Sequence, residues 1–347
     1  MKVRTEDAAM LHEALETLLE GRDLTEEQAY QTMSAIMGGE ATDAQIAGFL
    51  VALRIKGETV PEITGCARAM REAATRIEVG DLDVVDTCGT GGTHKGTFNV
   101  STTSAVVAAG AGVPVAKHGN RGASSSFGSA DVLQALGVNI EAPPAVVEQC
   151  VREVGIGFLF APLLHTAMRY AIGPRRELAV RTVFNILGPL TNPAGARRQV
   201  LGVFSEQLVE PIAGVLSNLG AARAMVVHSA DGMDEISLCD RTFVARVEDG
   251  SVETKWIAPE DLGMERAPRE KLAAASAGES AAVIRAVLDG EGGAPRDMVL
   301  LNAGAAVFVG GAADSHQQGI AKAAEAIDSG RAKETLTRLA ELSSAKR

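Results

Sequence analysis

The sequence predicts an α/β protein: a small N-terminal helical domain, followed by a large α/β domain whose mainly parallel central sheet is flanked by helices. Three observations carry this. At 347 residues the chain is long for a single core. Its first seventy or so residues read as short helical hairpins. From Leu82 onward, buried strand-like runs alternate with helical ones, the pattern of crossover units in a parallel sheet. The expected division is 1–78 for the helical domain, with a helical contribution from about 163–192, and 79–347 for the α/β domain.

Taken in order, the N-terminal helices announce themselves by their caps. Thr25 with Gln28, Thr42 with Gln45 and Thr59 with Glu62 are capping-box pairs, each ahead of an apolar-periodic run. Gly21, Gly38, Gly39 and Gly57 stand where those helices should stop. The boxes recur every seventeen residues, but the segments between them are unlike, so they are hairpins and not a repeat array. The helix AGFLVALRIKG from Ala47 is apolar on most faces, which predicts burial and a contact with a second subunit. Then LDVVDTCG and VPVAKHG read as buried strands around the helix STTSAVVAAGAG. ADVLQALG is a helix and IGFLFAP a strand. QVLGVFS and AMVVHSADG are strands around the helix VEPIAGVLSNLG. In TFVARVEDGSVETKWI two alternating runs meet at Asp249-Gly250, a two-residue hairpin, and the remainder returns to helices rich in Ala and Glu.

Composition narrows the function classes. Aromatics are 3%, so the core is built from Ala, Val, Leu and Ile. The charged N-terminus MKVRTEDAAM has no apolar stretch of a secretory signal, and the apolar run 105–116 is too short and too broken by Gly and Pro to span a bilayer. Cys66, Cys88, Cys150 and Cys239 are far apart with no C-x-x-C pair, which predicts reduced core thiols and a cytoplasmic protein. A net charge of −11 repels nucleic acid and anionic membranes, so neither is an expected partner. An anionic ligand must be held by local donors or a metal ion.

Three segments supply such donors. After the first strand comes DTCGTGGTHKGTFNVSTT, where Gly89, Gly91 and Gly92 let backbone N–H groups converge and Thr97, Ser101 and Thr102 add hydroxyls at a helix start. That chemistry suits a phosphate, although the spacing is neither the Rossmann nor the Walker fingerprint, and GTGG alone is more simply a tight turn. The next strand ends in KHGNRGASSSFGSAD, with Lys117, His118, Asn120 and Arg121 in a glycine-interrupted loop; two polyanion-type loops at adjacent strand ends weaken the plain-turn explanation. HSADGMDEIS places Asp234 and Glu235 side by side after a strand, with Asp231 nearby, a carboxylate pair suited to Mg²⁺ bound together with substrate phosphates, or to an ordinary solvated loop. No zinc spacing and no G-x-S-x-G nucleophile occurs, leaving a mechanism of positioning and electrostatics.

The segments GTGG…TFNVST, KHGNRGASS, GSADVLQALG, VRTVFNILGPLTNP and GMDEIS, in this order, resemble the anthranilate phosphoribosyltransferases, the tryptophan-pathway members of the nucleoside phosphorylase-like transferases. The likeness covers nearly the whole chain. It implies that Gly89, Gly92, Thr93, Thr97, Asn99, Val100, Ser101 and Thr102 bind phosphoribosyl pyrophosphate. It implies the same for Lys117, His118, Gly119, Asn120, Arg121, Gly122, Ala123, Ser124 and Ser125, with Ser129 close by. It places Mg²⁺ at Ser101, Asp234 and Glu235, and anthranilate against Gly89, Asn120, His165 and Arg175, whose planar fork matches a carboxylate. Without the resemblance, Arg175 reads as an exposed arginine in GPRRE. One position departs from the family's GTGGD: Thr93 follows Gly92, removing a carboxylate beside a polyanion.

The implied reaction displaces pyrophosphate from the anomeric carbon of the ribose by the anthranilate amine, the second step of tryptophan biosynthesis from chorismate, with no residue required as a general base. A homodimer through the helical domain is implied as well. Two rival readings are a pyrimidine nucleoside phosphorylase of the same fold, against which KHGNR and VFNILGPLTNP argue, and a nucleic-acid-binding relative without catalysis, against which the net charge and the Asp234–Glu235 pair argue.

Overall fold

The computed structural model describes residues 5–91, 96–122 and 127–345, with the backbone alone described for 5–9. Four helices open the chain: α1 (Thr5–Leu19), α2 (Glu26–Gly38), α3 (Asp43–Lys56) and α4 (Val60–Ala73). Two of the predicted capping boxes form in full. The Thr25 and Thr42 hydroxyls accept the N–H groups of Gln28 and Gln45, and each glutamine carbonyl takes the threonine N–H at 2.9 Å. The third does something larger. Glu62 accepts the Thr59 N–H at 2.8 Å and its hydroxyl at 2.9 Å, but it also accepts the Leu24 N–H at 2.9 Å and Lys56 Nζ at 2.9 Å. Lys56 in turn reaches Asp23 at 2.6 Å. Glu62 is wholly buried, so a residue expected only to cap α4 ties the approach to α2 and the end of α3 to it.

The apolar helix α3 buries Ile46, Phe49, Leu50 and Leu53 inside its own chain. The surface left over is narrow, and Ile55, 81% exposed, is its main apolar side chain.

The α/β part begins with β1 (Val85–Asp86), α5 (Val100–Gly110), β2 (Val115–Gly119), α6 (Ser129–Ala135), α7 (Pro144–Val154) and β3 (Ile156–Phe160). Three short helices, α8 (Ala161–Leu164), α9 (Arg169–Leu178) and α10 (Phe184–Leu187), then lead back toward the N-terminal bundle. Ala171, Val183, Phe184, Leu187 and Leu190 join the core of that bundle. The chain continues through β4 (Arg198–Gly202), α11 (Val209–Asn218), β5 (Arg223–Ser229), β6 (Thr242–Glu248) and β7 (Ser251–Ile257). It closes with α12 (Ala277–Leu288), α13 (Ala294–Val309), α14 (His316–Asp328) and α15 (Arg331–Ser344).

Among the described residues the strands form a sheet ordered β3-β2-β1-β4-β5-β6-β7, parallel from β3 to β5 and antiparallel at its last two pairings. The antiparallel end follows from Asp249-Gly250, where both residues have positive φ (49° and 82°), as a two-residue hairpin needs. Alternate side chains go to opposite faces. Val85, Val115, Val200, Met225 and Val244 pack beneath α5 and α13, whereas Leu201, Val226 and Ala245 join α11 and the bundle. The bundle core therefore runs on into one face of the sheet, and the two parts share apolar surface. Among the described residues no helix is long and apolar enough to cross a membrane.

The chain runs outward from β1 to β2 and β3, then restarts at β4 on the other side of β1. The crevice between the ends of β1 and β4 is thus the topological switch point, where open α/β sheets hold their ligands.

Removing one member of a buried, hydrogen-bonded ion pair costs about 3–5 kcal/mol. Glu62→Ala should lower stability toward urea by about that amount, because Lys56 loses its buried partner and two backbone N–H groups lose their acceptor. A loss below about 1 kcal/mol would show that the carboxylate is peripheral to the bundle.

Candidate active site

The loop after β1 is clasped to β4. The Thr90 N–H donates to the Gly202 carbonyl at 2.8 Å, the Thr90 hydroxyl accepts the Phe204 N–H at 3.0 Å, and the Gly91 N–H donates to Asp234 Oδ2 at 2.9 Å. Space here is minimal. A Cβ on Gly202 would lie 1.6 Å from the Asp234 carbonyl oxygen, and one on Gly89 would lie 3.0 Å from Asp234 Oδ2. Only glycine at 202 lets the segment carrying Asp234 and Glu235 approach the loop this closely.

Asn99 caps α5, its side chain accepting the Thr102 N–H at 3.0 Å, and the Ser101 hydroxyl lies 3.4 Å from the same oxygen. Ser101 faces Asp234 and Glu235 across a cavity of about 10 Å³, which Thr87, Gly89, Ser104 and Asn302 also line. Asn302 pins the far side of the carboxylates: its side chain accepts the Ile236 N–H and donates to the Ile236 carbonyl, both at 2.9 Å. Desolvation in this narrow space, then repulsion from Asp234, pushes the Glu235 carboxyl up to about 8, against the opposing pull of Lys117 and the Ser101 backbone. Among the described residues the buried Thr102 and Ser104 hydroxyl oxygens have no hydrogen-bond partner. Crowded carboxylates with a hydroxyl, all oxygen donors, fit a hard divalent cation.

Lys117 is the cation at the centre of the fold. It is 2% exposed and Nζ donates to the Thr87 carbonyl at 3.2 Å, with Asp86 and Glu235 both within its field. Asp86, wholly buried and pushed up to about 6 by desolvation, accepts the His118 N–H at 3.1 Å and Asn192 Nδ2 at 2.8 Å. No zinc spacing is visible in the sequence, yet the fold brings ligand atoms of Asp86, Cys88 and His118 within 4.8 Å of one another. The cation at this point is already Lys117, the Asp86 oxygens are in use, and burial pushes the Cys88 thiol up to about 12, so the trio is structural.

His118 and His165 meet Nε2 to Nε2 at 3.2 Å. Burial lowers both, His118 to about 3 with His165 and Lys117 adding to the effect, and His165 to about 4. Both rings are neutral at pH 7, and one Nε2–H donates to the other. The loop beyond β2 is shaped by Asp131, which accepts the Gly122 and Gly128 N–H groups at 3.1 and 2.8 Å and Arg121 Nη1 at 2.8 Å. Burial opposes that charge, but the two N–H groups and Arg121 hold the carboxyl below its ordinary value. Ser129 Oγ donates to the Asn120 carbonyl at 3.3 Å, and Gly119 fits tightly between Ser129 and Phe158.

Val100 is buried in the core, and Thr97 bridges to Ala273. Gly92, Thr93, Ala123, Ser124 and Ser125 lie outside the described residues. Arg175 stacks over Phe184 at 4.9 Å, and among the described residues no carboxylate pairs with it; burial lowers its pKa. Sequence reasoning assigned no role to Asp86, Asp131, Gly202 or Asn302. The first ends a buried strand, where a carboxylate is out of place in an apolar run, and that signal was readable. The other three depend on contacts between distant segments.

Fold and site together define a two-part glycosyl transferase. The family described as "Glycosyl transferase family, a/b domain" matches residues 81–333, and "Glycosyl transferase family, helical bundle domain" matches residues 12–74. The chain is 56% identical to anthranilate phosphoribosyltransferase of Thioalkalivibrio sulfidiphilus, over 95% of this chain and 97% of that one. The crystal structure of anthranilate phosphoribosyltransferase from Thermus thermophilus superposes with a TM-score of 0.91 at 47% identity, covering 96% of this chain and 99% of that one. The Saccharomyces cerevisiae enzyme, in complex with PRPP and Mg, does so at 0.87 and 26% identity, covering 97% and 98%. The chain belongs to the anthranilate phosphoribosyltransferase family.

Gly202→Ala should leave the protein folded but move the Asp234–Glu235 segment, and a displacement of about 1 Å at a reacting centre costs roughly 10²-fold in rate. Turnover within about twofold of the parent, in a folded variant, would show that this close approach is not what sets the carboxylates.

Proposed function

We infer that the protein transfers the phosphoribosyl group of phosphoribosyl pyrophosphate to the amine of anthranilate, releasing pyrophosphate, the second step of tryptophan biosynthesis from chorismate. The observation that carries the reading is the Ser101, Asp234 and Glu235 cluster beneath the glycine loop at the β1–β4 crevice. Neither rival has support here: the relatives are phosphoribosyltransferases of anthranilate over nearly their whole length.

In this reading Ser101, Asp234 and Glu235 hold Mg²⁺, which when bound neutralises charge on the departing pyrophosphate. The backbone N–H groups of the glycine loop and the start of α5 receive the phosphates. Positive charge develops on the ribose as the bond to pyrophosphate lengthens, as in other oxocarbenium-like transition states. The chain's part is to hold the two substrates in line. Lys117 acts from beneath, by its field and by holding the Thr87 carbonyl. Asn120, exposed beyond β2, and the neutral His165 border the aromatic ring, while Arg175 takes its carboxylate. An aniline nitrogen is already largely unprotonated at pH 7, so neither His118 nor His165 need be charged, and burial keeps both neutral.

Arg175 supports this division of labour because its guanidinium is partly desolvated and has no carboxylate partner among the described residues. A charged hydrogen bond contributes about 1.5–3 kcal/mol, or a ten- to hundredfold factor. The direct test is loss of anthranilate fluorescence on adding phosphoribosyl pyrophosphate and Mg²⁺. Arg175→Ala should lose efficiency toward anthranilate by that factor while KM for phosphoribosyl pyrophosphate stays put; the reverse pattern would exchange the two pockets.

The reading includes a reducing, cytoplasmic setting, supported by four free cysteines, and a homodimer through the helical part. The support for the dimer is the exposed Leu19 and Ile55 on the packed helices α1 and α3, with Ile172 and Val180 on and just beyond the adjoining α9. Light scattering should give the dimer mass for the parent and the monomer mass for Leu19→Asp/Ile55→Asp. A monomeric parent at micromolar concentration would remove the dimer.

A further inference from the structure

A second cavity, of about 330 Å³, lies between the antiparallel end of the sheet and the helices α13 and α14, and it shares no residue with the catalytic cluster. Its volume falls in the range of small-molecule sites. Val244 and Lys255 are directly paired across β6 and β7, and Met225 and Arg246 across β5 and β6, so their side chains rise from one face of the sheet. Met225, Val244 and Phe308 make the apolar floor. The far wall is the first turn of α14, where His316 Nε2 donates to the Leu301 carbonyl at 2.7 Å.

The rim carries opposite charges that the fold has not matched. Lys255 and Asp314 are both exposed, line the same cavity, and have no ion-pair partner among the described residues, each other included. The two other rim charges are engaged. Asp261 accepts the Ala258 N–H at 2.8 Å, and Arg246 is paired with Glu248. An apolar floor between an unmatched cation and an unmatched anion is complementary to a molecule that carries both charges at one end and an apolar body at the other.

We propose that this cavity binds a free amino acid with an apolar side chain, its carboxylate at Lys255, its ammonium at Asp314, and its side chain on Met225, Val244 and Phe308. A simple carboxylic acid would leave Asp314 unmatched, and a simple amine would leave Lys255 unmatched.

Titration of the full-length protein with L-phenylalanine should give a saturable isotherm by calorimetry. Phenylacetate and phenethylamine, each lacking one charge, should bind at least about tenfold more weakly, as should L-phenylalanine to Lys255→Ala or Asp314→Ala. Both residues are exposed and outside the catalytic cluster, so these variants should keep parental transferase activity, which certifies their fold. Arg175→Ala should leave the affinity unchanged, separating this site from the one for anthranilate. No isotherm with the parent protein, equal binding of phenylacetate or phenethylamine, or full affinity in Lys255→Ala or Asp314→Ala would each overturn the proposal.

Discussion

The contact on which the site depends is a backbone one: the loop after β1, the end of β4 and the Asp234 segment meet with almost no space between them. The Thr90 N–H is satisfied by the Gly202 carbonyl and the Gly91 N–H by Asp234, while the missing side chain at 202 is what lets the Asp234 carbonyl in. Three segments far apart in the chain are thereby fixed within a few bond lengths at the one crevice where strand order reverses. In the proposed reaction, phosphate donors and metal-binding carboxylates then face each other without either having to reach. A site that works by positioning, with no covalent intermediate, needs such rigidity more than it needs reactive groups.

Beneath that contact sits an electrostatic arrangement that the mechanism inherits. Lys117 is buried, yet its ammonium lies within the fields of Asp86 and Glu235, so one cation serves two buried carboxylates. Breaking a buried pair leaves an uncompensated charge, which is far costlier than never having built it. Asp86 in turn fixes the β2 backbone at His118 and holds Asn192 from the connection after α10. The loop beyond β2 therefore starts from a rigid point, and Asp131 shapes the part that follows. Lysine in KHGNR reads naturally as a phosphate ligand; the fold turns it inward, where it acts through position and field.

Much of this architecture is legible in the sequence because its signals are local. Capping boxes, an Asp-Gly hairpin and alternating apolar runs are set by neighbours a few residues apart, and the helices and strands fall where they predict. What local pattern cannot carry is spatial order. Nothing near Gly202 announces that β4 lies beside β1, so its role as a gap is invisible until the sheet is assembled. Glu62 shows the same limit: its spacing from Thr59 marks a helix start, but its bonds to Leu24 and Lys56 need three helices in place. The apolar α3 is the converse case, since much of the surface expected to need a second subunit is covered by the chain's own α1 and α9.

The charge pattern of the whole molecule then makes physical sense of how each substrate is met. With a net charge of −11, the chain cannot attract a pyrophosphate and a carboxylate by its overall field, so each must be held by groups whose solvation has already been given up. Lys117 and Arg175 are both partly or wholly removed from water, but they stand differently. Lys117 has its countercharges built in and contributes to the resting structure. Arg175 has an aromatic face and no carboxylate among the described residues, and in the proposed reaction its countercharge is the substrate's. A cation already matched cannot discriminate between ligands, because it loses nothing when the ligand is absent. One left unmatched loses its desolvation for nothing until the right anion arrives, so in the proposed reaction selectivity for the acceptor substrate rests on Arg175 more than on Lys117.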